Sequence, residues 1–300
     1  MTNIKTIAAY KYDYMQAKPD MDFKDVKPLP YSFSEFDKAG HVICEIIYQN
    51  DGTVEHKSEY RYNEKGLLIE ETLINNEGSA DEKKKYEYNE KGLLSKEFLI
   101  YVDESFDTTV FNYDDDGNLL EKATFTHEGN LESKKKISYK NGKICHEACF
   151  DDENNILSEV TITYNEKGNE VEIIRFDSAE KKSIRTEILY NEEGKRKEML
   201  TYNSSEQLIA RNQYEEDEKG QITMITEEDQ YKYNITTLSY DAHGNNTEQF
   251  ETNKAGELNS RITRIFDENN NLIEIAVMID RHGMGYNQNY ILRYFYEYYG

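Results

Sequence analysis

The most metal-like cluster in the sequence is Cys145-His146-Glu147-Ala148-Cys149, which places two thiols and an imidazole close together. Thiolate and imidazole are the usual ligands of structural zinc, with Zn–S bonds of about 2.3 Å. On a β-strand, Cys145 and Cys149 would lie about 13 Å apart, because each residue advances the chain by about 3.3 Å. One tetrahedral ion cannot bridge that distance. The sequence therefore predicts ordinary strand residues and no metal site.

A second candidate is the segment Asn112–Gly117 (NYDDDG), which resembles the opening of a calcium-binding loop. Oxygen-bearing side chains stand at its first, third and fifth places and glycine at its sixth. The twelfth place should carry a bidentate glutamate, but it is Ala123. We favour a solvated β-turn here and keep weak calcium binding as the alternative.

The segment Arg281–Gly285 (RHGMG) holds two glycines and interrupts the rhythm of the sequence. Its backbone N–H groups could cradle an anion. No helix start follows it, however, and no lysine completes a phosphate-binding loop. A long turn near the end of the chain is the preferred interpretation.

No catalytic arrangement stands out. Nothing pairs the scattered histidines with a nucleophile, and no G-x-S-x-G motif occurs. Carboxylates are so frequent that no glycosidase pair can be singled out. We predict a protein that is not an enzyme and uses no cofactor, and a hydrolase is the least favoured alternative.

An acidic hairpin is the most distinctive candidate for binding. Its seven carboxylates are Glu215, Glu216, Asp217, Glu218, Glu227, Glu228 and Asp229. As a functional site, it would be a patch that docks a basic protein and speeds the encounter through long-range attraction. The alternative is a solvated turn whose charges oppose aggregation.

The net charge of the chain indicates which classes of partner it can bind. With 36 basic and 59 acidic side chains, the net charge is −23. Such a field repels nucleic acids and anionic membranes, so we predict neither as a partner and expect a basic protein instead.

The three cysteines do not form a disulfide framework. The start of the sequence lacks the apolar run of a signal peptide, so we expect a cytoplasmic protein.

A repeated phrase reveals the architecture. YRYNEKGLL at Tyr60–Leu68 returns as YEYNEKGLL at Tyr86–Leu94. Its glycine belongs to a series with steps of 24 to 26 residues: Gly40, Gly66, Gly92, Gly117, Gly142, Gly168, Gly194, Gly220, Gly244 and then Asn270. A fixed period is typical of repeat proteins. Since glycine and asparagine tolerate a positive φ angle, the series predicts a tight turn in each repeat.

A second turn follows twelve residues after many of the first. These turns are centred on Gly52, Gly78, Gly129, Asn154 and Gly256. Between turns, aromatic and apolar residues alternate with Lys, Glu and Thr, and this period of two favours strands over helices. Each repeat is thus predicted to be strand, turn, strand, turn.

These patterns predict an all-β protein of tandem two-strand repeats of ~26 residues, forming one large antiparallel meander of roughly 20 strands. Twisted sheets beyond about ten strands curl or fold over, so we expect this one to coil or close on its tyrosine-rich face. We expect an N-terminal cap over residues 1–35, a repeat array over 36–283 and a capping strand over 284–300, all in a single structural domain. All three prolines, Pro19, Pro28 and Pro30, precede the array, because proline cannot donate to a β ladder.

The units YNEKGLL, YDDDGNLL, YNEKGNEV and YDAHGNNT resemble the tyrosine–aspartate (YD) repeats of the RHS family, over about residues 36–280. The resemblance implies a spiralling β structure. In that family it often surrounds a toxin cargo, and related arrays serve as recognition surfaces.

The leading functional hypothesis is a non-enzymatic, protein-binding β-repeat scaffold that recognises a basic partner. The resemblance to toxin-associated repeats implies an immunity or antitoxin role against a basic toxin or effector. The runner-up is a carbohydrate- or cell-surface-binding module that uses exposed tyrosines, such as Tyr86 or Tyr88, as stacking platforms. The sequence leaves the oligomeric state open.

Overall fold

The computed structural model describes residues 3–14, 26–283, 285 and 287–300. Pro19 of the expected N-terminal cap and Met284 of the glycine-containing segment lie outside the described residues. The described part of the chain contains 22 strands and no α-helix. None of its residues therefore forms a helix with the length and hydrophobicity that a membrane crossing requires.

The strands follow one another along the chain with short turns between them. In order they are β1 (Ile4–Asp13), β2 (Leu29–Phe36), β3 (Val42–Tyr48), β4 (Val54–Tyr62), β5 (Leu68–Asn75), β6 (Ala80–Tyr88), β7 (Leu94–Ile100), β8 (Phe106–Tyr113), β9 (Leu119–Phe125), β10 (Leu131–Lys140), β11 (Lys143–Phe150), β12 (Ile156–Tyr164), β13 (Glu170–Asp177), β14 (Lys182–Tyr190), β15 (Arg196–Tyr202), β16 (Leu208–Glu216), β17 (Ile222–Asp229), β18 (Tyr233–Tyr240), β19 (Asn246–Asn253), β20 (Leu258–Phe266), β21 (Leu272–Ile279) and β22 (Gln288–Tyr298).

The chain divides into two compact units. The first unit comprises the described residues up to Asp81, together with Glu215–Thr226 and Lys232–Gly300. Within it, β18 to β22 pair in succession, β22 pairs with β1, and β1 to β5 continue the series, with every pair antiparallel. The second unit comprises Glu82–Tyr214 and Glu227–Tyr231. Within it, β6 to β16 form an antiparallel series in chain order.

The predicted fold class is confirmed: the protein is an all-β antiparallel meander of two-strand repeats. The first strand, β1, is hydrogen-bonded to β2 on one side and to the last strand, β22, on the other. The two ends of the meander therefore pair with each other, as the prediction of a sheet that closes on itself requires.

Most of the predicted turns are encoded by two residues three positions apart. In the turn after β4, the Gly66 N–H donates to the Asn63 carbonyl at 2.9 Å, and the side-chain oxygen of Asn63 accepts from the N–H groups of Lys65 and Leu67. Gly66 has a φ of 75°, which a residue with a Cβ rarely adopts. Every glycine and asparagine predicted at a turn centre has a positive φ. The predicted turn series are thus confirmed.

The tyrosine of the repeated phrase stabilises the preceding repeat. At the end of β4 the register shifts between Arg61 and Tyr62, which is a β-bulge. The Tyr62 hydroxyl donates to the Val42 carbonyl at 2.8 Å, on the strand after the previous turn. The same bond recurs from Tyr113 to Leu94, Tyr139 to Leu119, Tyr164 to Ile144, Tyr190 to Glu170, Tyr240 to Ile222 and Tyr296 to Leu272. Bulges disrupt the ladder locally, so a side-chain donor at that point satisfies a backbone carbonyl.

Candidate binding sites

The acidic hairpin predicted from the sequence falls into two groups. Glu215 and Glu216 end β16, and Asp217 and Glu218 form the turn that follows, all in the first unit. The other group, Glu227–Asp229, ends β17 and belongs to the second unit. Each group thus lies at a strand end.

Two of the seven carboxylates hold turns together. Asp217 Oδ1 accepts from the N–H groups of Lys219 and Gln221, at 2.8 and 2.9 Å. Asp229 Oδ1 accepts from the Tyr231 N–H at 2.6 Å. These two aspartates therefore have a structural role, and the exposed members of the set are Glu215, Glu218, Glu228 and Asp229.

The metal-like motifs have structural roles as well. Cys145 and Cys149 both lie on β11, as predicted, and His146 Nε2 is 3.3 Å from Glu159 Oε1 on β12. In the NYDDDG segment both carboxylate oxygens of Asp114 accept from Asn118, at 2.8 and 2.9 Å. These bonds, the side-chain one first, lower the pKa of Asp114 below its ordinary value. Its carboxylate is thus engaged in a turn.

The structure reveals a groove that runs along β1, in the first unit. Thr6 pairs with Glu35 on β2 and with Glu297 on β22, and directly paired residues share a face of the sheet. Two residues along β1, Ala8 pairs in the same way with Phe33 and Phe295. Small side chains on the central strand thus lie between larger ones on both flanking strands. The groove has a volume of about 760 Å³.

The apolar end of the groove is open to solvent. The Phe295 side chain is 52% exposed, and its ring meets that of Tyr10 edge to face, with centroids 5.7 Å apart. Tyr12 and Pro28 extend this end. Exposed apolar surface framed by polar residues is typical of binding sites. The aromatic end is therefore suited to hold an apolar side chain.

The acidic end of the groove carries Glu35 and Glu297, with Lys5 also in the lining. Among the described residues, neither glutamate forms an ion pair, although Lys57 on β4 interacts electrostatically with Glu35. Both carboxylates thus remain available to a positive group of a ligand. Sequence reasoning missed this site, because it exists only through the register of three strands. The one local signal was the run of small residues in IKTIAAYKY.

The tyrosines named for sugar stacking are not freely exposed. Tyr86 and Tyr88 lie on β6, and both side chains are half-buried. Burial also raises the pKa of Tyr88 above its ordinary value. Stacking on a sugar needs an open ring face, so these two positions offer less surface than Phe295.

A family model described only as an uncharacterised protein matches residues 7–106, about a third of the chain. No curated protein matches.

Among solved structures, 55 chains match. One is a crystal structure of TcdB2-TccC3-Cdc42, with 9% identity and a TM-score of 0.46 over 86% of this chain and 17% of that one. Another is a porin-like protein from Bacteroides uniformis ATCC 8492, with 11% identity and a TM-score of 0.33 over 99% of this chain and 98% of that one. At these values neither likeness assigns a function.

Proposed function

We propose that this chain is a non-enzymatic, protein-binding β-repeat scaffold, and that the groove along β1 takes an extended basic segment of another protein. The observation that carries the proposal is the pair of cross-strand rows in the groove. One row is Glu35, Thr6 and Glu297, and the next is Phe33, Ala8 and Phe295.

The spacing of the two rows defines the ligand. Alternate residues of an extended chain point to the same side and lie about 6.6 Å apart, which is also the spacing of Thr6 and Ala8 along β1. A lysine or arginine of the ligand would lie between Glu35 and Glu297. An apolar residue two positions away would pack between Phe33 and Phe295. The motif is therefore a basic residue, any residue, then an apolar residue.

Charge favours such a partner over the whole surface. The net charge of −23 attracts a basic protein at long range and raises its association rate. The exposed glutamates of the acidic hairpin contribute to this field without making specific contacts. The proposal keeps the expectations of a cytoplasmic location and of no nucleic-acid or membrane partner.

We extend the proposal to an immunity or antitoxin role and to the assignment of the units as YD-type repeats. In most units the tyrosine, the Asp or Asn and the glycine have the distinct roles described above, which supports the second point. The acidic charge and the resemblance to toxin-associated repeats support the first. The test is whether the purified chain inhibits a basic toxin encoded beside it. A toxin that binds and stays active contradicts the antitoxin role alone.

The groove is tested with a library of ten-residue peptides, measured by fluorescence anisotropy. Peptides with the basic–any–apolar motif should bind, and peptides with glutamate in place of the basic residue should not. Glu35→Gln with Glu297→Gln should weaken binding at least tenfold, or about 1.4 kcal/mol. Phe295→Ala should do the same, and raised salt should weaken binding by the wild type.

The matched control is Glu64→Gln with Glu90→Gln, two exposed turn residues with the same change in net charge. If this control loses as much affinity as the groove variant, attraction is diffuse and the groove is not the site. An affinity that does not respond to salt contradicts the charge argument.

A further inference from the structure

A second cavity, with a different character, lies in the first unit. It has a volume of about 480 Å³, within the range of about 300–1,000 Å³ for small-molecule sites. It is lined by residues at the adjacent ends of β18, β19, β20 and β21 and by the loop after β21. The lining residues are Lys232, Asn234, Glu251, Asn259, Ser260, Ile279, Asp280, Arg281 and His282. Only one of them is apolar, so the cavity is suited to a polar ligand.

The polar side chains of three adjacent strands are joined in one network. Asn234 on β18 donates to Glu251 Oε1 on β19 at 2.7 Å, and Asn259 on β20 donates to the same oxygen at 3.1 Å. Asn259 Nδ2 also lies 3.3 Å from Asn234 Oδ1. His282 Nε2 is 3.1 Å from Asn259 Oδ1, which ties the loop to the strands. Asn234 is only 8% exposed, so the network is held in place by burial.

The other repeats show that the fold does not require these polar residues. Glu251 stands seven residues after its turn glycine, a place where four other repeats carry Ile47, Leu73, Leu99 and Val277 and two carry Arg175 and Glu227. Asn259 is the extra residue of a β-bulge, and the same place holds Leu157 and Ile209 in two other repeats and Glu55 and Glu132 in two more.

The charges that line the cavity are balanced, in contrast to those of the whole chain. The protein has 59 acidic against 36 basic side chains, yet Lys232, Arg281 and His282 all line this cavity. The balancing carboxylates are Glu251, within the network, and Asp280, which accepts from the His282 N–H at 2.8 Å. Cationic groups and a set of amide and carboxylate groups thus line the same cavity.

We propose that this cavity binds a small hydroxylated organic anion, either the acid or the phosphate ester of a sugar-sized molecule. The guanidinium of Arg281 and the ammonium of Lys232 bind the anionic group, which arginine can do with two parallel hydrogen bonds. The amides of Asn234 and Asn259 and the carboxylate of Glu251 bind the hydroxyl groups. The site is independent of the groove along β1 and goes beyond the proposed function.

The experiment is isothermal titration calorimetry of the full chain with four probes. Glucuronate and glucose 6-phosphate distinguish the carboxylate from the phosphate source. Glucose lacks the anion, and inorganic phosphate lacks the ring hydroxyls. At least one of the first two should bind tenfold or more tightly than either control probe. Binding of inorganic phosphate as tight as that of the best sugar anion, or binding of neither sugar anion, overturns the proposal.

Variants assign the binding to this cavity. Arg281→Gln, in an exposed loop, should weaken the bound sugar anion at least tenfold, and Glu251→Gln should weaken it while leaving the thermal midpoint near that of the wild type. The control is Arg61→Gln, another exposed arginine of the first unit, whose side chain is 73% exposed. It should bind as the wild type does. Undiminished binding by Arg281→Gln, or equal loss in the control, rejects this site.

Discussion

The hydroxyl of Tyr113 donates a hydrogen bond of 2.8 Å to the backbone carbonyl of Leu94, nineteen residues earlier in the chain. Leu94 pairs with Tyr88 and Lys96 with Glu87, so the carbonyl lies beside a bulge where the ladder is interrupted. Burial of the phenol raises the pKa of Tyr113, which keeps the hydroxyl a donor. One tyrosine side chain thus bonds this repeat to the one before it.

We expect Tyr113→Phe to lower the free energy of unfolding by about 1 kcal/mol, because the Leu94 carbonyl loses its donor while the ring stays. Urea unfolding followed by circular dichroism measures the change. Tyr231→Phe is the control, since Tyr231 is 89% exposed and should tolerate the loss of its hydroxyl. Equal effects of the two variants would show that the bond to Leu94 adds no net stability.

Turn residues with positive φ give a second prediction. Glu104 has a φ of 66°, where a side chain costs about 1–2 kcal/mol relative to its preferred conformation. We expect Glu104→Gly to raise the free energy of unfolding by about 0.5–1 kcal/mol, since glycine is more flexible in the unfolded chain and part of the gain is lost.

Two further variants test whether the φ angle of a turn position decides the effect of glycine there. Gly92→Ala should lower the free energy of unfolding by about 1 kcal/mol. Gly92 has a φ of 79°, and an added Cβ would meet nothing within 4 Å, so the cost is conformational alone. Ser204→Gly, at a turn position without positive φ, should also destabilise the protein. If Glu104→Gly behaves like Ser204→Gly, the strain assigned to Glu104 is absent.

The turns could be predicted because each is encoded within five consecutive residues. Asn63 and Gly66 together specify the turn after β4, because Asn63 supplies a side-chain acceptor and Gly66 tolerates a positive φ. The turns at Glu104, Lys181 and Glu206 could not be predicted in this way. Residues that do not favour a positive φ adopt it there because the pairing of the flanking strands requires it. Local chemistry thus predicts a turn only where the residue favours it.

The groove could not be predicted for a related reason. Its shape depends on Thr6 and Ala8 facing partners on two strands, one of which lies at the far end of the chain. Register between such distant strands is set by packing and leaves no periodic signal nearby. The acidic hairpin was visible because Glu and Asp cluster in sequence. Cross-strand rows become visible only in the fold.

Acid should destabilise the protein through its turn aspartates. Hydrogen bonds in the turns, from the Asn side chain first, lower the pKa values of a set of four aspartates: Asp114, Asp151, Asp241 and Asp267. A depressed folded-state pKa stabilises the protein above the unfolded value of about 3.9, and this contribution disappears as the pH falls through the folded value. The urea midpoint should therefore fall below pH 4.

Changing all four aspartates to asparagine removes their carboxylate charges and keeps a side-chain oxygen that can accept from the turn N–H groups. Asparagine already fills this place in other turns, such as at Asn63 and Asn89, where its side-chain oxygen accepts the backbone N–H bond but no bond from a neighbouring amide. The variant should be less stable than the wild type at pH 7, because each asparagine lacks the second oxygen that accepts from the neighbouring amide, and it should lose less stability than the wild type between pH 5 and pH 3. The control changes four neighbouring carboxylates outside these bonds to amides: Asp116, Asp152, Glu218 and Glu268. An acid response reduced equally in both would assign the effect to net charge.

Removing Arg211 from its ion pair with Glu198 should cost more stability than removing Glu198. Arg211 Nε donates to Glu198 Oε1 across β15 and β16, and the side-chain exposures are 43% for the arginine and 11% for the glutamate. Arg211→Gln leaves a largely buried carboxylate without its cation and should cost about 1–3 kcal/mol. Glu198→Gln keeps a neutral acceptor and leaves an arginine that can reach water, so it should cost about 1 kcal/mol or less.

The double variant should be more stable than Arg211→Gln alone, because it removes the isolated charge as well as the pair. Lys182→Gln is the control, since Lys182 and Glu180 form an ion pair whose side chains are 65% and 63% exposed, and it should change the free energy of unfolding by less than about 0.5 kcal/mol. Chemical unfolding of the four variants at low salt gives the values. Equal costs for Arg211→Gln and Glu198→Gln would mean that the Glu198 carboxylate is hydrated in the folded protein, so that its burial carries no penalty.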